Sequence, residues 1–182
     1  SLAWATVFCK ETRDAPSSSA STCPFFTISP SLVFSCSTVP ALPKVGWAGK
    51  HNTISCPAGH HFYEGRWLRE PQFLDDYAVF WFRRGGEPRR YSFWAADALW
   101  SRHLVRPNRA LLVDLLPDLI ANHAAWEKSH RDANGLFWQI DDRDGMEVSI
   151  GGSGYRATIN SYMFGDALAI ARIADLAGKP DV

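Results

Sequence analysis

A helical repeat of apolar residues between positions 108 and 130 constrains the fold of this chain more than any other feature. The apolar side chains recur at intervals of three and four residues, which places them on one face of an α-helix. They are Leu111, Leu112, Leu115, Leu116, Leu119, Ile120 and Trp126, with His123 on the same face. A histidine there is more often a satisfied core residue than a ligand. Pro117 interrupts the repeat, which predicts either a kink or two helices, the first ending near Leu115.

Three further segments predict helices. Residues 72–84 and 91–105 are aromatic-rich and are separated by a breaker of two glycines and a proline at positions 85–88. The third segment has apolar residues at near-helical spacing: Ala167, Ile170, Ala171, Ala174 and Leu176. Its expected N-cap is Asn160 or Ser161, and Gly178 followed by Pro180 is its expected stop.

Strand signals are weak. Residues 136–140 predict a short extended segment after the turn at Asp132-Ala133-Asn134-Gly135. No alternating run indicates a sheet, and no strand–helix–strand repeat occurs. The predicted fold class is therefore mainly α.

The first 58 residues differ in composition from the rest. Ser, Thr and Pro dominate positions 15–43, which favours irregular structure. We therefore predict an irregular segment at 1–58 and a helical domain at 59–182, without a signal peptide or a membrane span. The cysteines Cys9, Cys23, Cys36 and Cys56 all lie in this segment at wide spacing, so two disulfides or free thiols remain open, and no metal site is predicted.

Charge narrows the range of partners. The chain has 19 basic and 19 acidic residues and a formal net charge of zero. This balance argues against a broad electrostatic surface for nucleic acid or for an anionic membrane. Eight tryptophans, by contrast, favour a carbohydrate partner, because sugar rings stack on aromatic faces. No cofactor is predicted, and the oligomeric state stays open.

Four carboxylates crowd into seven positions ahead of the last helix: Asp141, Asp142, Asp144 and Glu147. Crowded carboxylates raise one another's pKa, which can leave one protonated near neutrality as a general acid. The alternative is a solvated acidic loop. The neighbouring Trp138, Tyr155 and Arg156 offer flat, hydrogen-bonding surfaces of the kind that sugar sites use.

Three motifs together resemble the six-hairpin glycoside hydrolases, which include the trehalases, the glucosidases of glycoside hydrolase family 63 and the mannosylglycerate hydrolases. The motifs are Asn134-Gly135-Leu136, Asp144-Gly145-Met146-Glu147-Val148-Ser149 and Leu176-Ala177-Gly178-Lys179-Pro180. The resemblance implies a partial (α/α)6 toroid, with residues 59–182 as the N-terminal part of the catalytic domain. It also implies that Glu147 is the general acid and that Asp144 supports its pKa. The family usually has Asp where this chain has Glu147, and Pro-Arg or Ser-Arg where it has Ile150-Gly151, so we expect a sister family with its own sugar specificity.

A second segment, Arg90-Tyr91-Ser92-Phe93-Trp94-Ala95-Ala96-Asp97, is similar to the Trp-Asp segment with which these enzymes begin their barrel. The similarity implies that Trp94 and Asp97 line the sugar pocket. The alternative is an aromatic helix face packed in the core.

The resemblance thus implies a glycosidase that cleaves O-glycosidic bonds of a carbohydrate substrate. The water-activating carboxylate normally comes from a later hairpin, so we expect this stretch of chain alone to be inactive. The competing hypothesis is a non-catalytic helical module, either a carbohydrate-binding protein or the structural remnant of a truncated gene product.

Overall fold

The computed structural model describes residues 54–144 and 151–181, which are mainly helical. Its helices are α1 (Cys56–Gly65), α2 (Gln72–Arg83), α3 (Ala95–Val105), α4 (Arg109–His130) and α5 (Ala157–Ala177). Two short strands, β1 (Trp138–Gln139) and β2 (Gly154–Tyr155), form an antiparallel pair. The predicted mainly α class is confirmed.

The helices pack in an alternating order. Helix α3 lies between α1 and α5 and packs on both, while α2 packs on α4. Helix α4 also packs on α3 and α5. This order is expected when helical hairpins stand side by side, with odd-numbered helices in one layer and even-numbered helices in the other. This packing is consistent with the predicted partial (α/α)6 toroid.

The apolar stripe of α4 explains how the two layers are held together. Leu112, Leu115, Leu116 and Leu119 are buried in the main core, which also contains aromatic side chains of α1 and α2. Helix α4 runs unbroken through Pro117, so of the two predicted alternatives, a kink or two helices, the second is wrong. A proline deletes one backbone hydrogen bond, whereas burial of leucines before and after it stabilises one continuous helix.

A smaller cluster extends the core toward the strand pair. It contains Trp126 of α4, Phe137, and Ile159 and Met163 of α5. His123 is half-buried beside this cluster, and its Nε2 lies 3.2 Å from the carbonyl oxygen of Met163. The prediction of a satisfied core histidine is therefore confirmed.

The sequence predicted one end of α5 correctly and the other wrongly. Helix α5 begins at Ala157 after Arg156, so the predicted N-cap at Asn160 or Ser161 is wrong. Asn160 instead accepts a hydrogen bond from the Phe137 N–H at 3.0 Å and donates to the Phe137 carbonyl at 2.7 Å, which ties α5 to the chain before β1. The predicted stop is confirmed, because Gly178 is the C-cap in the left-handed region.

The N-terminal region is described from residue 54 onward. Helix α1 begins at Cys56, three residues before the expected boundary, and was not predicted. Residues 1–53, with Cys9, Cys23 and Cys36, lie outside the described residues. The division into segments 1–58 and 59–182 stays a prediction. In the described part of the chain, no helix is long and apolar enough to cross a membrane.

Candidate functional site

Two groups of side chains lie where the sequence predicts a sugar site. The first surrounds the N-terminal end of α3 and consists of Tyr63, Trp94, Asp97, Tyr162 and Asp166; we call it the α3-start cluster. It draws on the three odd-numbered helices α1, α3 and α5. The second lies at the strand pair and the loop between its strands.

Trp94 lies in the α3-start cluster with only 8% of its surface exposed. Its indole contacts the Tyr162 ring at a centroid distance of 4.3 Å and the His60 imidazole, edge on, at 4.8 Å. Gly59 of α1 lies directly beneath it, since a Cβ at that position would be 2.2 Å from Trp94 Cε2. The indole is thus fixed by packing, as the core interpretation expects, and is covered in part by the exposed His60.

Asp97 is held from two sides. The Tyr63 hydroxyl donates a hydrogen bond to Asp97 Oδ2. Burial, and next the bond to Asp97, raise the pKa of the Tyr63 phenol above its ordinary value, so the phenol remains a donor at neutral pH. On the other side lies α5, where a Cβ added at Gly165 would be 3.7 Å from the Cβ and Cγ atoms of Asp97.

Asp166 lies beneath Asp97 and is almost fully buried, with 1% of its surface exposed. Its Oδ1 accepts a hydrogen bond from the Asp97 backbone N–H at 3.0 Å. The backbone N–H groups of Ala95 and Ala96 also stabilise the charged form of this carboxyl group. Burial raises the pKa of Asp166 from 3.8 to about 8, although these backbone bonds oppose the rise.

The strand pair brings Trp138 and Tyr155 together as direct cross-strand partners. Trp138 is half-buried and stacks on the His130 imidazole with ring centroids 4.8 Å apart. Tyr155 is 52% exposed, and its hydroxyl donates to Asp132 Oδ2 at 2.6 Å while accepting from Asn134 Nδ2 at 3.0 Å. The two predicted aromatic site residues are therefore adjacent, and Tyr155 presents its ring to solvent.

Asp144 and Arg156 form a buried ion pair next to the strands. Arg156 Nε lies 3.3 Å from Asp144 Oδ2, and the two side chains are 3% and 1% exposed. Arg156 NH2 also donates to the Gly152 carbonyl. Because a buried charge is costly without a partner, the pair fixes the start of the loop to the first residue before α5.

Glu147 lies in residues 145–150, outside the described residues. The described ends of this loop are tied together by Asp141, whose Oδ1 accepts the Gly152 N–H at 2.9 Å and whose own N–H donates to Ser153 Oγ at 3.1 Å. Asp141 thus links the chain before the segment that contains Glu147 to the chain after it.

Ser92 joins the two groups. Its backbone N–H donates to the Arg143 carbonyl at 2.8 Å, and its hydroxyl accepts from Gln139 Nε2 at 2.9 Å. Ser92 stands two residues before Trp94, and Arg143 directly precedes Asp144. The acidic residues 141–147 belong to a loop that we call the carboxylate loop. Its beginning is therefore held beside the start of α3.

Sequence reasoning missed Tyr63, Tyr162 and Asp166. Asp166 had a detectable signal, because it occupies a buried position in the helical repeat of Ile159, Met163, Ile170 and Ile173 on α5. A carboxylate in an apolar stripe is rare unless it is partnered. The tyrosines had no comparable signal. Among the described residues, no group of three or more His, Cys, Asp or Glu side chains is placed to hold a metal ion.

Comparison with known proteins gives two matches. The family described as "Mannosylglycerate hydrolase MGH1-like glycoside hydrolase domain" matches residues 50–182. A solved structure named "Sialidase" is 38% identical and aligns with a TM-score of 0.72, covering 83% of this chain and 15% of its own. The present chain therefore spans a small part of that relative's length. No curated protein matches significantly.

Proposed function

Because the chain belongs to the MGH1-like glycoside hydrolase family, we propose that the protein hydrolyses an O-glycosidic bond by carboxylate acid–base catalysis. The predicted resemblance to six-hairpin glycosidases and the partial toroid agree with this membership. The observation that carries the proposal is the anchoring of the carboxylate loop at Ser92, beside the aromatic start of α3. It holds Arg143, the residue before Asp144, beside the start of α3, which supports a site shared by this loop and the predicted sugar-binding residues.

Glu147 is the proposed general acid, which protonates the leaving oxygen of the scissile bond. Asp144 was predicted to raise the pKa of Glu147. Its ion pair with Arg156 supports an additional role, because a neutralised carboxylate three residues earlier fixes the loop. We propose that Asp144 and Arg156 act mainly by holding Glu147 in place.

The sugar ring is proposed to bind between the two groups of side chains. Tyr155 presents an exposed ring, and Trp138 stands beside it on the paired strand. Half-buried Asp97 offers carboxylate oxygens to sugar hydroxyls, and Trp94 supplies an apolar edge. His60 covers that edge and is a further contact; partial desolvation of its imidazole lowers the pKa below the ordinary value, which favours the neutral form at pH 7.

The names of the relatives guide the choice of substrates. The family is named for mannosylglycerate hydrolase and the structural neighbour is a sialidase. A test panel therefore contains mannosylglycerate, a sialoside, and gluco-, galacto- and mannosides as both natural and activated aryl glycosides. Hydrolysis of any member by the full-length protein supports the proposal.

The deciding variant is Glu147→Gln in the full-length protein. It should lower kcat on natural glycosides by about 10²–10⁴-fold, because the amide cannot donate a proton. Activated aryl glycosides need less acid assistance and should lose much less. KM should change little, since the amide is nearly isosteric with the carboxyl group.

Asp142→Asn is the matched control in the same loop. Asp142 is exposed and has φ 58°, a left-handed conformation that Asn tolerates well. The control should keep full activity. Equal losses for both variants, or equal losses of Glu147→Gln on both substrate types, would contradict the role of Glu147. Sugar binding without hydrolysis by the unmodified protein would instead support the non-catalytic module.

A further inference from the structure

The N-terminal end of α3 is capped by another helix. Trp94 is the N-cap residue, but its side chain makes no capping hydrogen bond. Ala95 and Ala96 follow and are 0% and 1% exposed, so water cannot satisfy their N–H groups. Asp166 of α5 supplies the cap: its Oδ1 accepts a hydrogen bond from the Asp97 N–H, and the Ala95 and Ala96 N–H groups also stabilise its charged form.

This cap fixes the backbone of the residues predicted to meet the sugar. Asp97 is bound to α5 through its N–H and to α1 through its carboxylate, which accepts from Tyr63. Trp94 lies at the same turn and is confined by Gly59 and Tyr162. Loss of the hydrogen bonding to Asp166 would free the backbone of the first turn of α3, although the Trp94 and Asp97 side chains would still be present.

We propose that Asp166 is a positioning residue of the sugar site: it holds the first turn of α3 so that Asp97 and Trp94 present a fixed surface to the sugar. This inference rests on the proposed glycosidase function. Asp166 itself is buried and does not touch the sugar.

The experiment uses the full-length protein with Asp166→Ala and Asp166→Asn. Asp166→Ala removes the acceptor of the Asp97 N–H and the carboxyl group near the buried N–H groups of Ala95 and Ala96, whereas the Asn amide oxygen keeps one acceptor in a side chain of similar shape. Asp175→Asn is the matched control, since Asp175 is an exposed carboxylate on the same helix.

Two quantities are measured: hydrogen exchange of the amides of residues 95–97, and kcat and KM on the best substrate of the panel. Asp166→Ala should speed exchange at these amides and raise KM by about 10- to 100-fold, with a smaller change in kcat, because misplaced binding residues weaken ground-state contacts. Asp166→Asn should recover most of the loss in KM. The control should match the unmodified protein in both readouts.

The outcomes separate the two proposals. Faster exchange with unchanged KM, or unchanged exchange in both Asp166 variants, overturns the positioning role while the glycosidase function stands. A uniform rise in hydrogen exchange across all helices of Asp166→Ala marks global destabilisation, and Asp166→Asn is then the deciding variant. If Asp166→Asn shows faster exchange at residues 95–97 with an unchanged KM, the positioning role is overturned. Failure of the unmodified protein to bind or hydrolyse any panel member overturns the proposed function itself.

Discussion

Adding one methyl group at Gly59 should disturb the α3-start cluster in a predictable way. A Cβ at this position would lie 2.2 Å from Trp94 Cε2, 2.4 Å from Cζ2 and 2.6 Å from Cδ2. Carbon atoms in favourable contact lie about 3.5–4.0 Å apart, so the indole must retreat by roughly 1 Å or more. Trp94 has little room to retreat, because it is 8% exposed and lies against Tyr162 and His60.

The magnitude follows from two opposing effects. Overpacking of this kind costs about 1–3 kcal/mol. Alanine is about 1 kcal/mol more favourable than glycine inside a helix, which offsets part of that cost. Gly65→Ala in the same helix is the matched control: its Cβ would meet the flexible Leu74 side chain at 3.1 Å or more. The free energy of unfolding should therefore be about 1–3 kcal/mol lower for Gly59→Ala than for Gly65→Ala.

Urea unfolding followed by far-UV circular dichroism measures this difference, and tryptophan fluorescence reports whether the indole has moved. In the full-length protein, Gly59→Ala should also raise KM on glycosides, whereas Gly65→Ala should not. Equal unfolding free energies and identical fluorescence for the two variants would refute the packing of Trp94 on Gly59.

Three further predictions concern stability. Arg156→Met removes the buried ion pair with Asp144 and should lower the free energy of unfolding by about 3–5 kcal/mol, measured by urea denaturation, unlike the same change at exposed Arg172. The pKa of Asp166 is raised from 3.8 to about 8 in the folded protein, so folding takes up a proton at pH values between these two. The protonated Asp166 therefore stabilises the folded state fully below about pH 4, and this stabilisation is lost as the pH rises toward 8. Asp166→Asn should therefore flatten the fall of unfolding free energy with pH by up to about 1.4 kcal/mol per pH unit, and an unchanged slope would contradict the raised pKa. Gly178→Ala should cost about 1 kcal/mol in thermal or urea unfolding, because φ is 72° at this C-cap; no loss would mean that the cap does not require glycine.

Local patterns in the sequence were sufficient to predict most helices. The apolar stripe of α4 predicted a helix between residues 108 and 130, and the structure has one at Arg109–His130. The stop at Gly178 was also readable, because a left-handed C-cap favours glycine. The start of α5 was predicted wrongly because the side chain of Asn160 bonds to Phe137 and does not cap the helix. Local sequence patterns do not predict this contact.

The candidate site was only partly readable from the sequence. The crowding of acidic residues at 141–147 marked the loop, and the aromatic segment before Asp97 marked the start of α3. The role of each individual carboxylate could not be predicted from the sequence. Asp144 is neutralised by Arg156, and Asp141 closes the base of the loop. Each role depends on a partner at least 11 positions away along the chain.

The sequence by itself determined the helical class, because the period of apolar residues dictates which backbone geometry can bury them. Tertiary structure alone decided how the site is assembled. Asp97 and Asp166 are 69 positions apart, and they meet only because α3 packs against α5. The physical reason is that a buried N–H group needs an acceptor wherever packing provides one, and packing is set by all the helices together.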